Sequence, residues 1–252
     1  MGWSSCSKQY AVCSLLLVAV LSSLNVFAQT SENKIDHGNQ QWIQYYSRIG
    51  LGKNFTLLND ASLRVKDTFG GLSLVLVRSG LAYSVSESIT VAGGGCVTFA
   101  FTDNKASRME LRGWEELFFP LRSGRFYFSN RLRMEQRYFR KITEGNITAD
   151  DSYFNRLRYR LYVTIPLNHK TMSAKTIALN VGDEVMVNFG SQVKYNVFDT
   201  NRLLAGLSYQ FNEQWLITLN YVLQLSHPNV PLSFEQNDVL WFSFTHSIAK
   251  KS

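Results

Sequence analysis

The sequence predicts an all-β protein, a transmembrane antiparallel β-barrel of about 12 strands that follows a cleaved N-terminal signal peptide. Three observations predict it. Polar and apolar residues alternate with period two along almost the whole chain beyond residue 40. Most alternating segments are longer than ten residues, whereas strands of soluble proteins average about 5–6. A single long apolar run lies near the N-terminus, in the layout of a secretion signal.

The first 28 residues form the predicted signal peptide. Lys8 supplies a positive charge before an apolar stretch at 10–27, and Val26 and Ala28 are small residues placed for cleavage before Gln29. A single membrane anchor is the alternative, which Ser22, Ser23 and Asn25 weaken. Cleavage leaves residues 29–252 as one barrel domain and removes Lys8, so the net charge of +7 falls to +6. Export through this signal predicts a location in the outer membrane of a Gram-negative bacterium.

Composition excludes several classes of protein. An apolar fraction of 45% is too high for a disordered chain. No later stretch reaches the roughly 18 apolar residues of a membrane-spanning helix. Cleavage would also leave Cys96 as the only cysteine, which rules out an internal disulfide, and no Cys/His cluster has the spacing of a zinc site. We therefore expect neither a metal nor a cofactor.

The alternation defines each strand. Around residue 132, apolar residues share one parity and Arg131, Arg133, Glu135 and Arg137 share the other. Successive side chains of a strand point to opposite faces, so such a segment has one apolar and one polar face. The predicted segments are 40–51, 55–66, 72–86, 89–101, 108–119, 125–140, 153–166, 175–189, 197–211, 214–225 and 237–249.

These are 11 segments, and a barrel closed by antiparallel pairs throughout needs an even number. We expect residues 30–39 to add a first strand and make 12, although that stretch is polar. The alternative is a barrel of ten strands, with 40–51 packed elsewhere. The possible range is therefore 10–12.

The connections and the aromatic residues favour a membrane barrel over a soluble β-sandwich. Short turns alternate with longer polar links at 66–71, 102–107, 141–152, 190–196 and 226–236, as the two ends of a membrane barrel do. Aromatic residues near strand ends are candidates for the girdles at the membrane interfaces. They are Trp42, Tyr45, Phe118, Phe119, Tyr138, Trp215, Trp241 and Phe242.

Several short patches resemble one family. They include RGWEEL from Arg112, NRLRMEQR from Asn130, NRLRYR from Asn155, GDEV from Gly182, and FDTNRLLAGL from Phe198, together with Trp42 in the first segment. The chain is similar in these patches to the uncharacterised "domain of unknown function 2490" family of Gram-negative outer-membrane barrels, over roughly residues 40–250. The resemblance implies a barrel in the outer membrane and implies no activity.

The polar face of the strands is unusually cationic. If the parity holds, the residues that face the lumen include Arg131, Arg133, Glu135, Arg137, Arg156, Arg158, Arg160, Glu184 and Arg202. Neighbouring arginines repel and need carboxylates, for which Glu110 and Glu116 also have a compatible parity. Two interpretations stay open. The charges form an ionic ladder that fills a narrow barrel, or they form an anion site or a porin-like, anion-favouring pore.

The leading functional interpretation is a non-enzymatic structural barrel or small pore. Its expected partners are outer-membrane lipids and the barrel assembly machinery during biogenesis, with a small anionic solute as a further candidate. Nucleic acid is not expected, because the chain is exported, even though its pI is 9.3. The alternative is a lipid hydrolase with a His/Ser site on the barrel surface, for which His246 is the one candidate because it shares the apolar parity of its strand.

Overall fold

The computed structural model describes residues 34–249, and these residues form eleven strands and no helix. The predicted signal peptide at 1–28 lies outside the described residues. The strands, in chain order, are β1 (Lys34–Gly52), β2 (Phe55–Lys66), β3 (Gly71–Ser86), β4 (Ile89–Thr102), β5 (Lys105–Ser123), β6 (Phe126–Thr143), β7 (Asn146–Pro166), β8 (Thr176–Phe189), β9 (Phe198–Gln210), β10 (Trp215–Ser226) and β11 (Ser233–Ile248). Within residues 34–249 there is thus no helix of the length and apolarity needed to cross a membrane.

The strands close into a barrel in which each is paired with its neighbours in sequence and β1 lies beside β11. The all-β barrel predicted from the alternation is confirmed, and its eleven strands fall within the predicted range of 10–12. The predicted strand bounds are close to those observed; β2 matches the predicted 55–66.

Closure does not follow the expected antiparallel pattern throughout. Consecutive strands are antiparallel, so an odd number places β1 and β11 in the same direction. Side-chain contacts between β1 and β11 confirm that the two strands are parallel. The Gln40 amide donates to Asn237 at 3.2 Å, and the Tyr45 hydroxyl lies 3.1 Å from Nδ1 of His246, so both strands advance together. The separate first strand expected within 30–39 is wrong for its described part, because residues 34–39 simply extend β1; residues 30–33 lie outside the described range.

Tight turns replace most of the long links that the sequence predicted. The connections at Asp103-Asn104 and at Glu144-Gly145 have only two residues, all with positive φ. Positive φ at both central positions is the geometry of a type I′ hairpin, which Asn, Asp and Gly adopt most easily. The polar residues next to these turns therefore belong to the strands, and β4 to β7 extend further toward the turns than predicted. The longer connections are 167–175, 190–197 and 227–232, and loop length does not separate the two ends of the barrel.

The wall of the barrel has an apolar outer face and a mixed inner face. Large apolar side chains of alternate positions are exposed on the outside of every strand, among them Val77, Leu132 and Leu207. The inner face holds two apolar clusters. One contains Trp42, Leu204, Val222 and Val239, and the other contains Leu76, Cys96 and Trp114.

The structure corrects one expectation about aromatic residues and explains one glycine. Trp42 is only 1% exposed and packs edge-on against Trp241 inside the barrel, with ring centroids 5.7 Å apart. The prediction that these two residues belong to a girdle at the membrane interface is therefore wrong. A Cβ atom at Gly94 would overlap the Ser79 carbonyl, so this glycine allows β3 and β4 to approach closely.

Candidate functional site

The nine charged residues predicted to face the lumen all lie on the inner face of β6 to β9. The parity of each strand dictates this, because residues 131, 133, 135 and 137 of β6 alternate with exposed apolar residues such as Leu132. The same holds for Arg156, Arg158 and Arg160 of β7. Backbone register then places the arginine rows of β6 and β7 side by side, with Arg131 opposite Arg160 and Arg133 opposite Arg158.

Glu135 is the centre of the resulting ion-pair network. It is fully buried, and Arg156 donates to its Oε2 from Nε at 2.8 Å and from Nη2 at 2.6 Å. Arg158 donates to its Oε1 at 2.8 Å and Arg112 to the same oxygen at 3.4 Å. One carboxylate thus neutralises part of the charge of several arginines from β5, β6 and β7. Such charge-assisted, forked contacts are what the planar guanidinium favours.

Glu184 of β8 is a second centre. Its Oε1 accepts from Arg131 at 2.5 Å and from Arg158 at 2.8 Å, and its Oε2 accepts from Arg202 at 3.4 Å. Arg158 therefore joins the two centres, since it also binds Glu135. The network reaches from β5 to β9 across the inside of the barrel.

Three further carboxylates complete this network at its edges. Glu110 binds Nε of Arg137 at 2.6 Å and Nη2 of Arg112 at 2.8 Å. Glu116 binds Nη2 of Arg133 at 2.6 Å, and Asp199 binds Nη1 of Arg156 at 2.8 Å. The parity argument for Glu110 and Glu116 as partners of the arginines agrees with these contacts.

Sequence reasoning missed four members of the charged interior. They are Asp60, Arg78, Arg112 and Asp199; Asp60 accepts from Nε of Arg78 at 2.7 Å, and Arg112 and Asp199 bind the network. The parity of two of them was readable: Asp60 and Arg112 share the parity of the buried residues Ser62 and Glu110 on their strands. No parity signal marks Asp199 in the sequence, because it is the second residue of β9 and too few strand residues precede it to show the alternation.

Positive charge exceeds negative charge in this interior. Eleven arginines line one cavity of about 180 Å³. Six carboxylates are ion-paired within the barrel, namely Asp60, Glu110, Glu116, Glu135, Glu184 and Asp199. Eleven minus six leaves a formal excess of five positive charges. No cluster of three or more His, Cys, Asp or Glu suited to a metal ion occurs in the described range.

His246 lies on the outer face, as its parity predicted, within an aromatic group. Its ring stacks on Trp215 with centroids 4.0 Å apart and planes 10° apart, and its Nδ1 is bonded to the Tyr45 hydroxyl. A hydrolytic site needs the base to bond the hydroxyl of a nucleophile such as serine. The partner here is a phenol, so the arrangement gives no support to the lipid hydrolase.

Comparisons with known proteins found a matching family model and a similar solved structure. A family model described as "Protein of unknown function (DUF2490)" matches residues 39–231. A solved mutant of the ferric enterobactin receptor PfeA from Pseudomonas aeruginosa is similar, with 10% sequence identity and a TM-score of 0.32. That alignment covers 77% of this chain and 40% of the receptor. None of the curated proteins matches the chain.

Proposed function

The chain belongs to the DUF2490 family of proteins of unknown function, and from that premise we propose that it is a non-enzymatic outer-membrane β-barrel whose interior favours small anions. The single observation that carries the proposal is the excess of five positive charges inside a closed barrel. Rings of charged side chains set the ion preference of membrane pores, and arginine selects anions.

The exposed apolar wall supports the membrane part of the proposal. Val77, Leu207 and Leu240 are each more than half exposed, and similar residues cover the outside of every strand. A soluble monomer rarely exposes apolar patches of more than a few hundred Å², whereas a membrane barrel presents an apolar band to lipid. The predicted signal peptide at 1–28 provides the route to the outer membrane of a Gram-negative cell.

The same ion pairs also support a second candidate, a purely structural barrel. Glu135 and Glu184 bind arginines of β5, β7 and β9 inside the barrel. Such a network can fill the interior and leave no path for solute. Conductance separates the two candidates.

Membrane insertion is tested by expressing the full chain in a Gram-negative host and fractionating the cells. We expect the protein in the outer-membrane fraction, with an electrophoretic mobility that changes on boiling, because closed barrels resist detergent until heated. A product recovered in the soluble periplasmic fraction would contradict the proposal.

Anion preference is tested by recording from the detergent-purified protein in a planar bilayer under a KCl gradient. We expect discrete conductance steps and a reversal potential shifted toward that of chloride. A shift toward potassium contradicts the proposed preference. Complete absence of steps favours the structural barrel over the pore.

A further inference from the structure

Three of the eleven arginines that line the cavity have no carboxylate partner among the described residues, namely Arg64, Arg108 and Arg160. Arg108 is exposed and stacks over the Phe139 ring. Arg64 and Arg160 differ from it, because each has a buried Nε that bonds to nothing in the described part of the chain. A buried donor without a partner costs free energy, so these two positions need an explanation.

Arg160 has no carboxylate partner because other arginines bind the carboxylate that lies opposite it. In register it lies opposite Glu184 on β8 and opposite Arg131 on β6. Both oxygens of Glu184 already accept from Arg131, Arg158 and Arg202, and no contact with Arg160 joins them. Arg160 therefore faces a like charge, Arg131, on β6, while the carboxylate opposite it on β8 is already hydrogen-bonded to three other arginines.

Arg64 is held by an aromatic ring. Its guanidinium carbon lies 3.9 Å from the centroid of Trp42, on which it stacks. Stacking uses the flat face of the guanidinium and leaves the donors in its plane free to bind. The charges that act most strongly on Arg64 are those of other arginines, Arg202 foremost.

A hydroxyl donor lies among these cations. Tyr46 of β1 lines the same cavity and interacts electrostatically with Asp60 first, and then with Arg78, Arg160 and Arg131. In residues 34–249 its hydroxyl makes no hydrogen bond to protein. Nε of Arg131 on β6 is also buried without a hydrogen bond in the described part of the chain. The cavity of about 180 Å³ thus gathers unused donors from β1, β2, β6 and β7 around one space.

We infer that this cavity binds a small, doubly charged oxyanion between Tyr46, Arg131, Arg160 and Arg64. In-plane guanidinium donors and a hydroxyl match the tetrahedral oxygens of phosphate, the simplest member of that class. One water needs about 15 Å³ of such space, so the cavity has room for roughly ten waters, enough for a phosphate ion with part of its hydration. The inference deepens the proposed function by naming the ligand class, and it rests on that function for the ligand's route of entry.

The test is calorimetric titration of inorganic phosphate into the full-length protein in detergent at pH 7.5, against potassium chloride at equal ionic strength. We expect one saturable phosphate site and no saturable chloride site. Arg160→Gln should weaken phosphate binding at least tenfold, and Tyr46→Phe should weaken it about threefold. Neither change removes the partner of a carboxylate, so both variants should fold.

Arg122→Gln is the matched control, because it removes one exposed arginine near the turn between β5 and β6 that does not line the cavity. It should bind phosphate as the parent does. The inference is overturned if phosphate binding is not saturable, or if the control and Arg160→Gln weaken it equally, which would indicate general screening of charge. Bilayer conductance is a separate readout, so a barrel that binds phosphate without conducting would leave this inference intact and reject the pore.

Discussion

The inside of the barrel has two sides, and each fills the lumen with a different kind of side chain. On the side of β1 and β9 to β11, Trp42, Leu204, Val222 and Val239 form an apolar cluster. On the side of β5 to β9, the Glu135 network fills the equivalent space with charge. Glu135 and Val222 are both fully buried. Burial of the apolar side stabilises the barrel directly, whereas the charged side is stable only while each carboxylate serves several arginines.

The two sides meet at Trp42. The guanidinium of Arg64 lies 3.9 Å and that of Arg202 lies 4.9 Å from the centroid of its ring. An indole of the apolar cluster therefore also makes cation–π contacts with two arginines. Cation–π contacts are worth about 0.5–2 kcal/mol and increase with desolvation. Trp42 therefore links the two sides, and separate substitutions on each side measure how much either contributes.

The largest effect is expected on the charged side. Glu135→Gln keeps the shape of the side chain but removes the charge that neutralises Arg112, Arg156 and Arg158. Removing one partner of a buried ion pair costs about 3–5 kcal/mol, and we expect the upper end because three arginines each lose one of their two carboxylates. Urea unfolding of the barrel in detergent, followed by tryptophan fluorescence, measures the loss.

The control for that substitution is Glu87→Gln, in the exposed turn between β3 and β4. It removes the same charge and should change the free energy of unfolding by less than about 0.5 kcal/mol. Equal losses in the two variants would mean that the network contributes no more than a surface charge.

A somewhat smaller effect is expected on the apolar side. Trp42→Ala empties the centre of the apolar cluster and removes the ring under Arg64, so we expect a loss of about 3–4 kcal/mol. Trp215→Ala makes the same change on the outer face, where the ring stacks on His246 and no internal cavity forms. That variant should lose only about 1 kcal/mol. The same urea titration compares them, and a larger loss for Trp215→Ala would contradict the interior position of Trp42.

Alternation along the strands explains why so much was predictable. Period two fixes which face a side chain occupies, and the inward position of Arg131 to Arg137 followed from it directly. The parity of Trp42 was readable in the same way, but its size and aromatic character suggested the membrane interface. Only the register of β1 against β2, where Trp42 lies opposite Arg64, shows that the indole is stacked inside.

The direction of the closing strand pair could not be predicted, because it depends on contacts between residues far apart in sequence. The parallel seam of β1 and β11 joins Gln40 to Asn237, which no local pattern indicates. The turn at Glu144-Gly145 shows a second limit. Its polar surroundings look like a loop, yet two positive φ angles let β6 and β7 continue to the turn. Likewise, parity identified the arginines but not which of them Glu184 would leave unpaired.

The smallest changes in the free energy of unfolding are expected from single arginines of the interior, one with and one without a carboxylate partner. Arg158→Gln breaks contacts with both Glu135 and Glu184, although each carboxylate keeps other arginines, so we expect a loss of about 2 kcal/mol. Arg160→Gln, two residues along the same face of β7, breaks no ion pair and relieves repulsion from Arg131. Its free energy of unfolding in phosphate-free buffer should stay within about 0.5 kcal/mol of the parent or rise slightly. A loss as large as that of Arg158→Gln would show that Arg160 is bonded into the network after all, and that the surplus charge lies elsewhere in the lumen.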